Sequence, residues 1–158
     1  MSQDILLLTA LVAVILMGSA MCSGIEAALL AVNPLRVHEL ARRKPKVLGA
    51  IRLEKLRHRI GRTLTVVTIA NNSFNIFGSL MVGSYATYIF QDRIGNVKPI
   101  FFVGLTILVL LLGEIVPKAL GTRLALQISL TSAPVLDFLS IVMRPLLIVL
   151  ERLLPIIT

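Results

Sequence analysis

The sequence predicts an all-α membrane protein with three transmembrane helices and additional amphipathic helices at the membrane surface. Its 158 residues are 56% hydrophobic, and the mean hydropathy of +0.91 exceeds that of an ordinary soluble domain. Three apolar segments each exceed the roughly 20 residues that a helix needs to cross a bilayer. Helices are expected because the backbone polar groups of a spanning segment must bond to each other in lipid. We treat residues 1–158 as one membrane domain.

The first predicted span covers residues 5–32. Asp4 precedes it where a signal peptide would carry positive charge, and the apolar run is longer than a signal-peptide core, so we expect a retained span. The span ends at Asn33 and Pro34, because proline has no N–H and restricts the residue before it.

A basic link follows at residues 34–62. It holds ten of the sixteen Lys and Arg residues, whereas the whole chain has eight acidic residues. A basic block beside apolar spans indicates the cytoplasmic side and contact with anionic lipid headgroups. The link contains no aromatic residue that could stack on a base, so we expect no nucleic-acid partner. Helical spacing predicts amphipathic helices lying on the membrane surface.

The second and third predicted spans cover residues 64–90 and 100–120. With the basic link inside, the N-terminus and the link at residues 91–98 lie outside, and the residues after the third span lie inside. The last segment, about residues 132–157, is apolar but carries Asp137, Arg144 and Glu151 at seven-residue intervals. Such a stripe favours a kinked helix in the interface, and a fourth span is the alternative.

Polar residues occur inside all three predicted spans, in the stretches "CSGIEAAL", "IANNSFNIFGS" and "GEIVPK". Counted at ~1.5 Å per residue, all of them fall between the middle of the membrane and its inner half. The candidate metal-ligating residues are Ser23, Glu26, Asn71, Asn72, Asn75, Gly113 and Glu114.

Pro117 gives the third stretch a chemical role. In an α-helix the N–H of residue 117 would bond to the Gly113 carbonyl, and proline lacks that N–H. A free carbonyl beside Glu114 at membrane depth is tolerated where it lines a cavity or holds a cation. The single cysteine, Cys22, excludes a CxxC site and an intramolecular disulfide. Ligation by oxygen alone selects Mg²⁺ or Ca²⁺.

Each of these features also has a structural interpretation. Asparagines in membrane helices often bond one helix to another. Glu114 could pair with Lys118 four residues later. Glu26 could reach the inner interface and pair with arginines of the basic link.

The three motifs "SGIEAAL", "NNSFNI" and "GEIVPKAL" on spans divided by a basic link resemble the transmembrane (DUF21) domain of the CNNM/CorC magnesium transporter family. The resemblance covers nearly the whole chain, and its ion-site pattern maps to Ser23, to the three asparagines 71, 72 and 75, and to Gly113 and Glu114. Ile25 departs from the pattern, because many relatives have a small or hydroxyl residue there.

The resemblance implies a homodimer that transports Mg²⁺, chiefly as efflux, with Na⁺ as the exchanged ion. It also implies cytoplasmic CBS domains following this chain. We therefore expect no enzyme but a multi-pass inner (plasma) membrane protein that exports Mg²⁺, with its N-terminus outside and its C-terminus in the cytoplasm. Two alternatives stay open: a non-transporting membrane anchor or regulatory module that senses a divalent cation, and a proton relay through Glu26 and Glu114.

Overall fold

The computed structural model describes residues 2–44, 46, 47, 49–89 and 97–149. All regular structure in these ranges is helical, which confirms the predicted fold class. Most of the link predicted at residues 91–98, the side chains of Val97 and Lys98 included, lies outside the described part, as does the C-terminal stretch 150–158 with Glu151.

The chain begins with a long helix and a short helical hairpin. Helix α1 covers Ser2–Ala31, α2 covers Pro34–Arg43 and α3 covers Ala50–His58. The Asn33 side chain accepts a hydrogen bond from the Leu35 N–H at 2.9 Å, which caps the N-terminus of α2. The turn before α3 needs Gly49, because its φ is +82° and a Cβ would overlap the Leu130 carbonyl.

The remaining helices complete a bundle around α1. Helix α4 covers Ile60–Ile89, and α5, Val97–Leu108, runs through a π-helical segment, Val109–Ile115, into α6, Val116–Arg123. Helix α7 covers Ala125–Val142 and contains Pro134, and residues 144–149 are again helical after a break at Met143.

Three helices among the described residues are long and apolar enough to cross a membrane, namely Gln3–Ala31, Pro99–Arg123 and Ala125–Val142. Two of them match the first and third predicted spans. Helix α4 corresponds to the second predicted span. It has 30 residues and, at about 45 Å, is long enough to cross a membrane. It is not one of the three helices above, because the polar stretch at its centre lowers its hydropathy. The interfacial helix predicted for about residues 132–157, which includes the second half of α7, stays a prediction, as does the alternative of a fourth span.

Two groups of buried hydrophobic residues hold the helices together. One joins the C-terminal part of α1 to α2, α3, α4 and α7, through Leu29, Val32, Val37, Leu53, Leu56, Val67, Ala133 and Leu136. The other, which we call the apolar cluster, joins the N-terminal half of α1 to the C-terminal half of α4 through Leu8, Ile15, Val82 and Ala86. Ser19, Ser23 and Glu26 of α1 lie between these two groups along the helix.

Helix α2 is amphipathic, as predicted for the basic link, whereas α3 leaves Ile51 58% exposed among its charged residues. Their buried residues are Val37, Ala41, Ala50, Leu53 and Leu56. The opposite faces are charged, and His38 of α2 contacts Glu54 of α3 at 2.6 Å. Arg57 donates a hydrogen bond to the Leu29 carbonyl at 2.7 Å, which ties α3 to the C-terminal end of α1.

Candidate metal centre

Four oxygen atoms from three helical elements meet inside the bundle. The Ser19 and Ser23 hydroxyls of α1 lie 3.3 and 3.4 Å from the Asn71 Oδ1 of α4. The Ser19 hydroxyl also lies 3.4 Å from the Gly113 carbonyl oxygen in the π-helical segment. Ser19 and Ser23 are fully buried and Asn71 is 7% exposed. We call Ser19, Ser23, Asn71 and Gly113 the oxygen cluster.

Local helix geometry explains why these atoms converge. Ser19 and Ser23 are four residues apart and therefore lie on one face of α1. Asn71 is on the buried face of α4, in register with them. Gly113 is the buried residue of the π-helical segment, and a Cβ there would lie 3.3 Å from the Ser19 hydroxyl oxygen. A larger residue would crowd the contact with Ser19.

The oxygen cluster has more acceptors than protons. Each serine hydroxyl carries one proton, whereas Asn71 Oδ1 and the Gly113 carbonyl carry none. The contacts of 3.3 to 3.4 Å are also long for O–H···O hydrogen bonds, which are commonest at about 2.7–2.8 Å. Lone pairs are therefore left over in a buried site, which suits a cation.

Pro117 lies two residues after the π-helical segment. The Val116 N–H bonds to the Leu111 carbonyl five residues earlier, so the helix is widened immediately before the proline. Since Pro117 has no N–H, residue 117 cannot donate to the Gly113 carbonyl. That oxygen faces the Ser19 hydroxyl.

Glycines bring α1 and α6 into backbone contact beside the cluster. A Cβ on Gly121 would overlap the Gly24 carbonyl oxygen, and a Cβ on Gly24 would lie 3.4 Å from the Pro117 carbonyl oxygen. Small residues of this kind let membrane helices approach closely. The contact fixes the position of Pro117, and with it the Gly113 carbonyl, relative to α1.

The two candidate carboxylates already have partners. Glu26 accepts a hydrogen bond from the Thr68 hydroxyl of α4 at 2.8 Å. Glu114 Oε1 contacts the Lys118 ammonium nitrogen at 2.8 Å, the structural alternative considered above. Both carboxylates are near the oxygen cluster in sequence, since Glu114 follows Gly113 and Glu26 lies three residues after Ser23.

The three candidate asparagines differ in environment. Asn71 is in the oxygen cluster, whereas Asn72 is exposed. Asn75 Oδ1 is buried and has no hydrogen-bond partner among the described residues. The structure therefore brings together Ser23, Asn71 and Gly113 of the predicted set, and it leaves Asn72 and Asn75 outside their direct contacts.

Sequence reasoning missed Ser19 and Thr68 as parts of this region. A signal for Ser19 was available, because it precedes Ser23 by four residues and shares its helix face. Thr68 carried no such signal, since its contact with Glu26 depends on how α4 packs against α1.

The donor set consists of oxygens. Within the described ranges, no group of three or more His, Cys, Asp or Glu side chains is placed to hold a metal. A cation here would be held by hydroxyl, amide and carbonyl oxygens, with a carboxylate brought in from Glu114 or Glu26. Such ligands suit hard cations and disfavour zinc and copper.

Comparison with known proteins identifies the relatives of this chain. It is 37% identical over 92% of its length to the UPF0053 protein sll1254 of Synechocystis. It is 29% identical over 85% of its length to the UPF0053 inner membrane protein YfjD of Escherichia coli. A third relative is the chloroplastic DUF21 domain-containing protein At1g55930 of Arabidopsis thaliana, 31% identical over 85% of the chain.

The chain spans 41%, 30% and 20% of the length of these three relatives. The sequence profile of the Cyclin M transmembrane N-terminal domain matches residues 10–158, which includes all of the oxygen cluster. On this match, and on the helical bundle that carries the cluster, the chain belongs to the CNNM family as its transmembrane domain.

Proposed function

We propose that this domain transports Mg²⁺ across the inner (plasma) membrane, exporting it from the cytoplasm in exchange for Na⁺. The observation that carries the proposal is the convergence of four buried oxygens from α1, α4 and the π-helical segment. Membership of the CNNM family supports Mg²⁺ as the ion. The proposed topology has the N-terminus outside and the basic hairpin α2–α3 in the cytoplasm.

The spacing of the oxygens supports a cation of suitable size. Neighbouring ligands of an octahedral Mg²⁺ at ~2.1 Å are about 3.0 Å apart. The distances of 3.3 to 3.4 Å in the cluster would shorten slightly around Mg²⁺. By the same geometry, spacings of 3.3 to 3.4 Å correspond to metal–oxygen distances of about 2.3–2.4 Å, which lie in the Ca²⁺ range. Competition between Mg²⁺ and Ca²⁺ therefore tests which ion the site prefers.

A divalent cation also needs negative charge, because the oxygen cluster is neutral. Glu114 supplies it in this proposal, since its backbone adjoins the Gly113 carbonyl. Ser23 and Asn71 give further oxygens, and Glu26 of α1 adds a second carboxylate. Transport then requires the site to open alternately to each side of the membrane.

Mg²⁺ flux into liposomes tests this role directly. Glu114→Gln removes the charge and keeps the shape, so we expect flux to be abolished. Glu39→Gln is the matched control, because Glu39 is exposed on α2 and pairs with Arg43 at 3.1 Å on the same helix. Wild-type flux in Glu114→Gln would contradict the proposal, and flux that ignores the Na⁺ gradient would contradict the exchange.

One observation favours a second function, a membrane anchor or regulatory module that binds a divalent cation without moving it. Glu26 and Glu114 are both paired within the protein, as expected of a structural polar layer. Protein that binds Mg²⁺ at equilibrium but gives no flux in liposomes would establish this alternative. A homodimer and attached CBS domains fit either function.

A further inference from the structure

Lys118 is a charged residue that the proposed transport site does not yet use. It lies in the first turn of α6, immediately after Pro117, and its ammonium nitrogen is 2.8 Å from Glu114 Oε1. The carboxylate proposed to bind the cation is therefore already bonded to a cation that belongs to the protein.

The direction of the Lys118 side chain makes this pairing informative. Lysines near the end of a membrane helix commonly extend toward the nearer interface. Lys118 is five residues from the end of α6 at Arg123, yet its ammonium is directed back along the helix toward Glu114.

The Lys118 ammonium and a bound divalent cation compete for Glu114. A carboxylate without a partner is costly at membrane depth, and the ammonium removes that cost when no ion is present. A divalent cation on Glu114 repels a neighbouring ammonium. The Lys118 side chain is 43% exposed, which leaves it room to move away from the carboxylate.

We propose that Lys118 is a tethered counter-cation that sets the affinity and turnover of the site. Its ammonium neutralises Glu114 in the empty site, leaves when a divalent cation binds and returns when that cation is released. Lys118 thereby weakens binding and speeds release. The inference rests on the proposed function of the oxygen cluster, and Lys118 is a positioning residue in it.

Neutral substitutions separate this role from a structural one. Lys118→Gln keeps a hydrogen-bond donor for Glu114 and removes the positive charge. We expect purified full-length Lys118→Gln to bind Mg²⁺ at least tenfold more tightly in calorimetry. We also expect its flux in liposomes at saturating Mg²⁺ to be several-fold slower, because release is no longer assisted. A structural ion pair would instead give weaker binding when broken.

Two further variants keep the test decisive if Lys118→Gln folds poorly. Lys118→Arg retains the charge and can hold a carboxylate with two hydrogen bonds, so we expect it to bind Mg²⁺ several-fold more weakly than wild type. Lys46→Met removes an exposed lysine between α2 and α3, and we expect wild-type affinity and flux.

The possible failures are distinguishable. If Glu114→Gln loses Mg²⁺ binding while Lys118→Gln binds no more tightly than wild type, the counter-cation role is overturned and the transport proposal stands. Lys118→Arg binding as tightly as wild type would also overturn that role. If wild-type protein neither binds nor transports Mg²⁺, both proposals are overturned together.

Discussion

The two halves of the α1–α4 pair have opposite chemistry. At one end, Leu8 and Ile15 of α1 pack against Val82 and Ala86 of α4 in the apolar cluster. At the other end, the same two helices bring Ser19 and Ser23 against Asn71. The second end is joined by the π-helical segment through the Gly113 carbonyl.

This difference suggests that the two halves of one helix pair have separate roles, one in stability and the other in cation binding. Apolar packing needs no exact partner atoms and holds the helices at a fixed distance. The oxygen cluster needs exact placement, because buried polar atoms without partners are costly. The apolar cluster should therefore govern stability, and the oxygen cluster should govern cation binding. Substitutions in each region test this division.

Gly121→Ala should have the largest effect, because it disturbs the contact between α1 and α6 that positions the Gly113 carbonyl. The added Cβ would overlap the Gly24 carbonyl oxygen, and neither backbone can move without shifting α6 relative to α1. Overpacking of this kind costs about 1–3 kcal/mol, and the displaced Gly113 carbonyl should abolish Mg²⁺ binding as well. Thermal unfolding in detergent and calorimetry measure the two effects.

Gly104→Ala is the matched control for that substitution. Gly104 lies in α5 and a Cβ there meets no atom within 4 Å. We expect wild-type stability and Mg²⁺ binding. Normal binding in Gly121→Ala would mean that the α1–α6 contact does not position the site.

Asn71→Leu should have an intermediate effect that is confined to binding. Leucine has a similar size but lacks the oxygen that meets Ser19 and Ser23, so we expect Mg²⁺ affinity to fall at least tenfold, equivalent to about 1.4 kcal/mol. Asn72→Leu on the exposed face should change affinity by less than twofold. Equal losses in the two variants would show that the exposed amide also binds the ion.

Ile15→Val should have the smallest effect and should alter stability alone. Ile15 is 9% exposed in the apolar cluster, and removing one buried methylene typically costs about 0.5–1.5 kcal/mol. Ile107→Val, at a 52% exposed position of α5, should be close to neutral. A changed Mg²⁺ affinity in Ile15→Val would show that the apolar cluster also affects cation binding, which would contradict this assignment of roles.

Much of the fold was predictable because lipid imposes simple rules. The boundary at Asn33 and Pro34 follows from proline chemistry, and the amphipathic link follows from its charge pattern. The family was recognisable from the motifs, and the match over residues 10–158 confirms it. The span assignments differ in two helices. The asparagines of α4 lower its hydropathy, so it is not among the candidate spans of the described residues, whereas α7 is.

The candidate site was predicted only in outline. Ser23, Asn71 and Gly113 lie together, but their contact with Ser19 was not expected. The sequence left Glu114 with two possible partners, a bound cation or Lys118, because an i, i+4 spacing permits the ion pair without requiring it. The structure contains the ion pair, at 2.8 Å.

The sequence by itself determined the helical membrane class, the basic hairpin and the chemical type of the site, because composition, periodicity and the missing N–H of Pro117 act locally. Tertiary structure decided which oxygens meet and that the Thr68 hydroxyl bonds to Glu26. Those outcomes depend on the close approach of Gly24 and Gly121 and on the register between α1 and α4. Contacts between residues far apart in the chain are set by helix packing, which no single motif encodes.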